Sequence, residues 1–364
     1  MSPNHARMRS AAGFSLVEIM VGMVIGLFGM IIMLQVFSLA EAQKRSTASG
    51  GDAQTSGAIA LYGVQRDIRH AGYGDSDVKI AGCNVLLRAG VTLNLIAPVT
   101  INHASIPAGD TNTDTLLVTY GNSNGSPQGD GITSQSANTV YAVQTSSSFT
   151  PNATYASADK VIAIASTRPS PCNLTLDWVT GVAGANITVN TGSAGMVNGT
   201  IFNLGQSPKV MVYAVRSGNL TVCDFTVNDC SAAGSTGSAS VWVPIANNIV
   251  SMRAQYGKDT TSPMDGFIDT YNQTALASAC DVVKVSSIRL ALVARSALYE
   301  KTAVTGAAPA WEGSTAQTAT SPTNPTAVTI DLSANATWQN YRYRVFQSVV
   351  PIRNVAWQGA QTGC

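Results

Sequence analysis

The chain has 364 residues, room for one large or two ordinary domains and a sizeable buried core. Only 11% of its residues are charged, and 21 Lys plus Arg stand against 20 Asp plus Glu. Neither sign accumulates, so nothing in the composition suggests a polyanion-binding surface, and no specific nucleic-acid binding is expected. Polarity comes instead from Ser, Thr, Asn and Gly, as in many exported, loop-rich β proteins.

Residues 1–13 are short and mildly basic, with Arg7 and Arg9 and no acid. From Ile19 to Ala40 follow 22 uncharged residues. As a helix they extend about 33 Å, enough to cross a bilayer. Basic residues ahead of such a run predict a cytoplasmic N-terminus and an exported remainder. The run is too long for the apolar core of an ordinary cleaved signal peptide. Glu18 sharpens the reading, because it lies inside the apolar segment that starts at Phe14. An ionised group there costs on the order of 2.5–3.5 kcal/mol at mid-bilayer, so it calls for a partner.

The cluster Gly13-Phe14-Ser15-Leu16-Val17-Glu18 resembles the processing site of type IV prepilins. The resemblance implies that a prepilin peptidase of the inner membrane cuts between Gly13 and Phe14 and methylates the new amine of Phe14. It also implies a role in subunit assembly for Glu18, whose carboxylate neutralises the amine of an adjacent subunit inside an apolar helical bundle. Major pilins often carry a proline midway along this helix; here none occurs between Phe14 and Ala97. Gly22 and Gly26 stand instead at a small-residue spacing that permits close helix packing, and Gly29 is a further place where the helix is weakened.

After the apolar run a polar continuation, Glu41–Arg45, leads to Gly50-Gly51, where the sequence predicts a break. Over Ala58–Ala71 the apolar residues Leu61, Val64 and Ile68 recur at helical spacing, and Gly72 is placed to stop the helix. From Val85 the texture turns to β. Strands are predicted at Thr115–Tyr120, Thr139–Val143, Lys160–Ala165, Lys209–Val215, Ser240–Ile245, Ile249–Tyr256, Val282–Ser296 and Tyr341–Val350. Within the seventh, Ile288, Leu290, Leu292 and Ala294 alternate with Arg289, Ala291, Val293 and Arg295, a period of two. The Ala/Thr/Pro-rich stretch Thr302–Thr329 reads as a long surface excursion or disordered loop.

Six cysteines, Cys83, Cys172, Cys223, Cys230, Cys280 and Cys364, form no C-x-x-C pair, and three histidines supply a zinc site poorly. In an exported chain they read as disulfides. Fifteen pairings are open, with Cys223–Cys230 the candidate for a small local loop.

Two further stretches carry a narrower resemblance. Arg66-Asp67-Ile68-Arg69-His70-Ala71-Gly72-Tyr73, followed by Cys83, looks like the helix-end signature of PilW-type minor pilins. Val349-Val350-Pro351-Ile352-Arg353-Asn354 resembles the final block of the same family. The resemblance implies an α+β, pilin-like fold: a leader over 1–13, a hydrophobic transmembrane and filament-core helix over 14–40, and its amphipathic continuation over 41–72. A largely antiparallel, β-rich periplasmic or extracellular head follows over 73–364, with a long loop near 302–329. It implies a non-enzymatic minor pilin that waits in the inner membrane, primes pilus assembly and sits in or near the extracellular pilus tip, serving twitching motility and adhesion. Its partners would be the other minor pilins, the major pilin and a PilY-type tip adhesin. The alternatives are a minor pseudopilin of a type II secretion system, which shares the anchor, or a membrane-anchored ligand-binding module.

Catalytic chemistry has little to stand on. Gly121-Asn122-Ser123-Asn124-Gly125 matches G-x-S-x-G, yet Ser126-Pro127 cannot open the helix a nucleophile elbow needs, and no histidine follows. No phosphate loop, dinucleotide fingerprint or H-E-x-x-H is present, so no cofactor is expected. The acids Asp259, Asp265 and Asp269 fall on one turn-rich run and could supply oxygens to a calcium ion, although their spacing fits no EF-hand.

Overall fold

The computed structural model describes residues 13, 15–356, 358, 359, 361 and 364. The leader expected over 1–13, Gly13 apart, and Phe14 lie outside the described residues. The chain forms two compact units, 1–51 and 52–364. One helix, α1 (Leu16–His70), begins in the first and ends in the second.

In the first unit α1 is apolar on every side. Its large hydrophobic side chains from Leu16 to Leu39 are 42–74% exposed. A helix greasy all round is stable only in lipid or inside a bundle of helices. By length and composition it suffices to cross a membrane. The backbone amides of Glu18 and Ile19 close the first turn on Ser15 O at 3.0 and 3.2 Å. Beyond the apolar stretch Glu41 accepts from Arg45 at 3.1 Å one turn later. Both side chains are exposed, so the pair adds only a few tenths of a kcal/mol.

Gly50 and Gly51 do not break α1, contrary to the sequence expectation. Two glycines weaken a helix by about 2 kcal/mol relative to alanine but leave every i→i−4 bond possible. Tertiary packing, which outweighs propensity, begins two residues on. Ala53, Gly57, Ala60, Val64, Ile68 and Ala71 are all buried at spacings of three and four, the face of α1 that meets the head. The first three are small, which lets the helix lie close: a methyl group at Gly57 would collide with the ring of Phe346. Full burial of Val64 and Ile68 contributes roughly 2–3 kcal/mol each.

The strands of the head pair antiparallel, apart from Asn84–Arg88 beside Asn173–Thr175 and an isolated parallel bridge between Thr270 and Thr323. A four-stranded sheet holds, in order, Thr270–Asn272, Ile249–Lys258, Val285–Arg295 and Tyr343–Pro351. A five-stranded sheet runs Val243–Asn247, Asn219–Asp224, Lys209–Arg216, Leu116–Tyr120 and Val99–Ile101. The buried face of α1 shares one core with these two sheets, among them Leu116, Val215, Met252, Leu290 and Leu292. A six-stranded closed barrel is built from 130–205, and it includes Val140–Val143 and Lys160–Ile164 near two of the expected strands. Its own core includes Ile132, Tyr141, Val161, Val179, Ile187 and Ile201.

Elements of the head also depart from expectation, among them the strand expected over Ser240–Ile245, which runs Val243–Asn247. The strand expected from Val282 starts at Val285, because Ser278 and Asp281 form a capping box that winds Ala279–Val283 into a short helix. The stretch 302–329 is largely exposed and irregular, but it is anchored at a few buried residues. Trp311, Val328, Ile330 and Leu332 pack on Ala291 and Val293, and Trp311 Nε1 donates to Val328 O at 2.5 Å. This strap covers the second face of Val285–Arg295, so a strand with a period-two pattern is buried on both sides.

Three disulfides, Cys83–Cys172, Cys223–Cys230 and Cys280–Cys364, close loops of 89, 7 and 84 residues.

Candidate functional site

The site has two parts, the start of α1 and the place where α1 ends on the head.

At the start, Gly13 precedes the helix and Glu18 sits in its first turn, exposed. An acid there is favoured by the helix dipole, worth about 0.3–1 kcal/mol. That is too little to offset the several kcal/mol of taking a carboxylate into lipid. Among the described residues no salt bridge reaches Glu18. Gly22 and Gly26, one turn apart, have open space where a side chain would stand, a flat strip on which a second helix can lie close.

At the other end, α1 stops where its sequence predicts. Gly72 adopts φ +83°, a left-handed conformation suited to glycine, and donates to Thr119 O at 2.9 Å. The last carbonyls of the helix need donors. Asn354 Nδ2 provides them, to His70 O at 3.0 Å and Ala71 O at 2.9 Å. The two stretches that carried the narrower resemblance, Arg66–Tyr73 and Val349–Asn354, therefore meet across some 280 residues of sequence. Ser76 Oγ adds a bond to Asn354 O at 3.3 Å, and Gln358 Nε2 reaches Ser76 at 2.6 Å.

One turn back, buried Asp67 accepts from Tyr213 Oη at 2.5 Å and from Arg66 Nε at 3.1 Å. Burial, reinforced by the negative charge of Asp67, pushes the Tyr213 hydroxyl far up, so it stays a donor. The same causes push Tyr120 up to about 12. The result is a charge-assisted latch between the helix and the five-stranded sheet.

Sequence reasoning missed Asp75, which follows the helix-end glycines and reads as an ordinary turn acid. It is only 2% exposed, and its Oδ1 has no partner among the described residues. Burial pushes its carboxyl up to about 7. No local pattern signals this; its burial is made by strands from elsewhere in the chain.

The calcium expectation at Asp259, Asp265 and Asp269 is corrected. Among the described residues no three acidic, His or Cys side chains are placed to share a metal ion. The carboxylates cap their own turns instead. Asp259 accepts from Thr261 N and Gly266 N, Asp269 from Thr260 N and Thr261 N, and Asp265 from Phe267 N. Those bonds, led by the one from Thr260 N, hold Asp269 below the usual carboxylate range. The G-x-S-x-G run is a loop after Leu116–Tyr120 with no helix behind it.

The family model described as Prokaryotic N-terminal methylation motif matches residues 8–34, and that described as Type IV Pilus-assembly protein W matches residues 212–354. No curated protein and no solved structure matches the chain. A methylation motif running into an apolar helix whose second half packs on a β-rich head defines the type IV prepilin class, which implies processing by prepilin peptidase and assembly with pilins. The apolar helix is consistent with an inner-membrane anchor before assembly. Within that class the chain is similar, over residues 212–354, to the PilW family of type IV pilus-assembly proteins, a family of structural pilins and not of enzymes. The matched block, 212–354, begins beside Tyr213 and ends on Asn354, both of which hold the end of α1.

Proposed function

We propose that this chain is a minor pilin that primes type IV pilus assembly and stays in or near the filament tip, in the service of twitching motility and adhesion. Prepilin peptidase cuts between Gly13 and Phe14 and methylates the Phe14 amine. The helix slides from the inner membrane into the filament core, and Glu18 pairs there with the amine of a neighbouring subunit. The observation that carries the reading is the apolar helix itself, exposed on all sides with a single acid in its first turn. Such a surface needs lipid first and other helices afterwards.

The tip is favoured by size, since a head of this bulk is easier to place at an end than at every lattice point. Other minor pilins, the major pilin and a PilY-type tip adhesin are the partners that follow. The inner membrane holds the chain before assembly, and the extracellular pilus holds it afterwards. The test replaces Gly13 by a bulky residue. The product should keep its leader, migrate more slowly and leave the cells without pili. Unchanged mobility with normal piliation would overturn the proposal.

A further inference from the structure

The loop rejected as a nucleophile elbow has another use. Residues 122–124, Ser148, Thr150, Asp159, Gly205 and Gln206 enclose a cavity of about 260 Å³ with no apolar side chain in its walls. Drug-sized ligand sites run to about 300–1,000 Å³, so this one fits a single small ring.

Its floor is a charged group held in place. Asp159 is 4% exposed, and its Oδ2 accepts from Thr150 N at 2.8 Å and Asn203 Nδ2 at 2.9 Å. Oδ1 makes no hydrogen bond among the described residues, and Asp159 is one of the residues that line the cavity. The neighbouring Lys160 makes no ion pair with it, although the two opposite charges interact. Its ammonium is engaged by the carbonyls of Tyr155, Ala158 and Gln206 at 2.6, 3.0 and 2.7 Å. Around Asp159 the side chains of Asn124, Ser148, Thr150 and Gln206 have no partner of their own among the described residues.

The rim is equally fixed. Gly121 N donates to Tyr73 O and Asn122 N to Leu204 O, both at 2.8 Å, and Ser207 N donates to Asn122 Oδ1 at 2.9 Å. A side chain at Gly121 would press on those same two carbonyls, at 2.8 and 2.9 Å, so glycine is required for the approach. The backbone of the rim is thereby held in place before a ligand arrives.

The charge decides what enters. An anion is repelled by Asp159; a bare divalent cation finds one carboxylate where it wants several oxygens of higher charge. An apolar ligand finds nothing to pack against. What remains is a neutral, hydroxyl-rich ring that donates to Oδ1 and exchanges hydrogen bonds with the amides and hydroxyls. We infer that this cavity is a saccharide-binding pocket of the head, independent of how the helix assembles.

The test uses the full chain in a zwitterionic micelle free of sugar headgroups. Methyl glycosides of glucose, galactose, mannose and N-acetylglucosamine are supplied at millimolar concentration and read by saturation-transfer NMR. Transfer to the ring protons of at least one glycoside is expected. Asp159→Asn keeps an acceptor for Thr150 and Asn203 but replaces Oδ1 by a donor. Asn124→Ala removes an exposed side chain that holds nothing in the fold. Each should weaken binding about tenfold, the loss of one hydrogen bond to the ligand, with an unchanged melting temperature for Asn124→Ala. Absence of transfer to all four glycosides, or equal transfer in Asn124→Ala and the parent, overturns the inference.

Discussion

Asp75→Asn is the most informative single change in the head. Burial raises the Asp75 carboxyl from 3.8 to about 7. A raised acid binds more protons when folded than when unfolded between those two values, so stability falls as pH rises across that window. Below pH 3.8 the group is neutral in both states and has no effect. Above pH 7 the folded chain carries a buried charge, and about three pKa units at 1.36 kcal/mol each make a penalty of roughly 4 kcal/mol. Asparagine removes the charge but brings an amide with no acceptor waiting, which costs about 1–3 kcal/mol at any pH. The variant should therefore melt lower than the parent at pH 4 and higher at pH 8. For a head of this size the swing amounts to several degrees. Thermal unfolding of the full chain in micelles, followed by circular dichroism across that pH range, measures it. A difference in melting temperature that stays constant with pH would refute the reasoning.

Other changes test the grip on α1 and the covalent frame. Tyr213→Phe leaves Asp67 Oδ2 buried without its donor and should cost about 1.5–3 kcal/mol, seen as a lower denaturant midpoint with an unchanged slope. Asn354→Ala strips the donors from His70 O and Ala71 O and should cost about 1–3 kcal/mol in the same assay, whereas Arg353→Ala at the exposed neighbouring position should stay within about 0.5 kcal/mol. Replacing Cys83 and Cys172 together by serine opens a loop of 89 residues and should cost about 4–5 kcal/mol. Opening the 7-residue loop at Cys223 and Cys230 should cost about 2–3 kcal/mol, so the first pair should lower the melting temperature more.

What the sequence made legible was local. Gly13 through Glu18 is a contiguous motif, and Val64, Ile68 and Gly72 follow from helical spacing alone. The both-sided burial of Val285–Arg295 was not legible, because the cover comes from scattered Trp311, Val328 and Ile330 in a stretch otherwise rich in Ala, Thr and Pro. The barrel escaped notice for a related reason. Its strands are short, and several, such as Asp130–Ala137 and Asp177–Ala183, carry Ser, Thr and Gly where a longer strand would carry aliphatic residues. The acids near Asp265 illustrate a third limit: a run of carboxylates looks the same whether its oxygens face a metal or the backbone amides of their own turns.

The central claim is that Glu18 exists to meet a positive amine on a neighbouring helix within the filament. Glu18→Val, expressed in cells lacking the parent, tests it by immunoblot of sheared filaments against the membrane fraction. The account predicts a processed protein that accumulates in the membrane and is absent from filaments. Recovery of Glu18→Val in sheared filaments at the parent's level would contradict it.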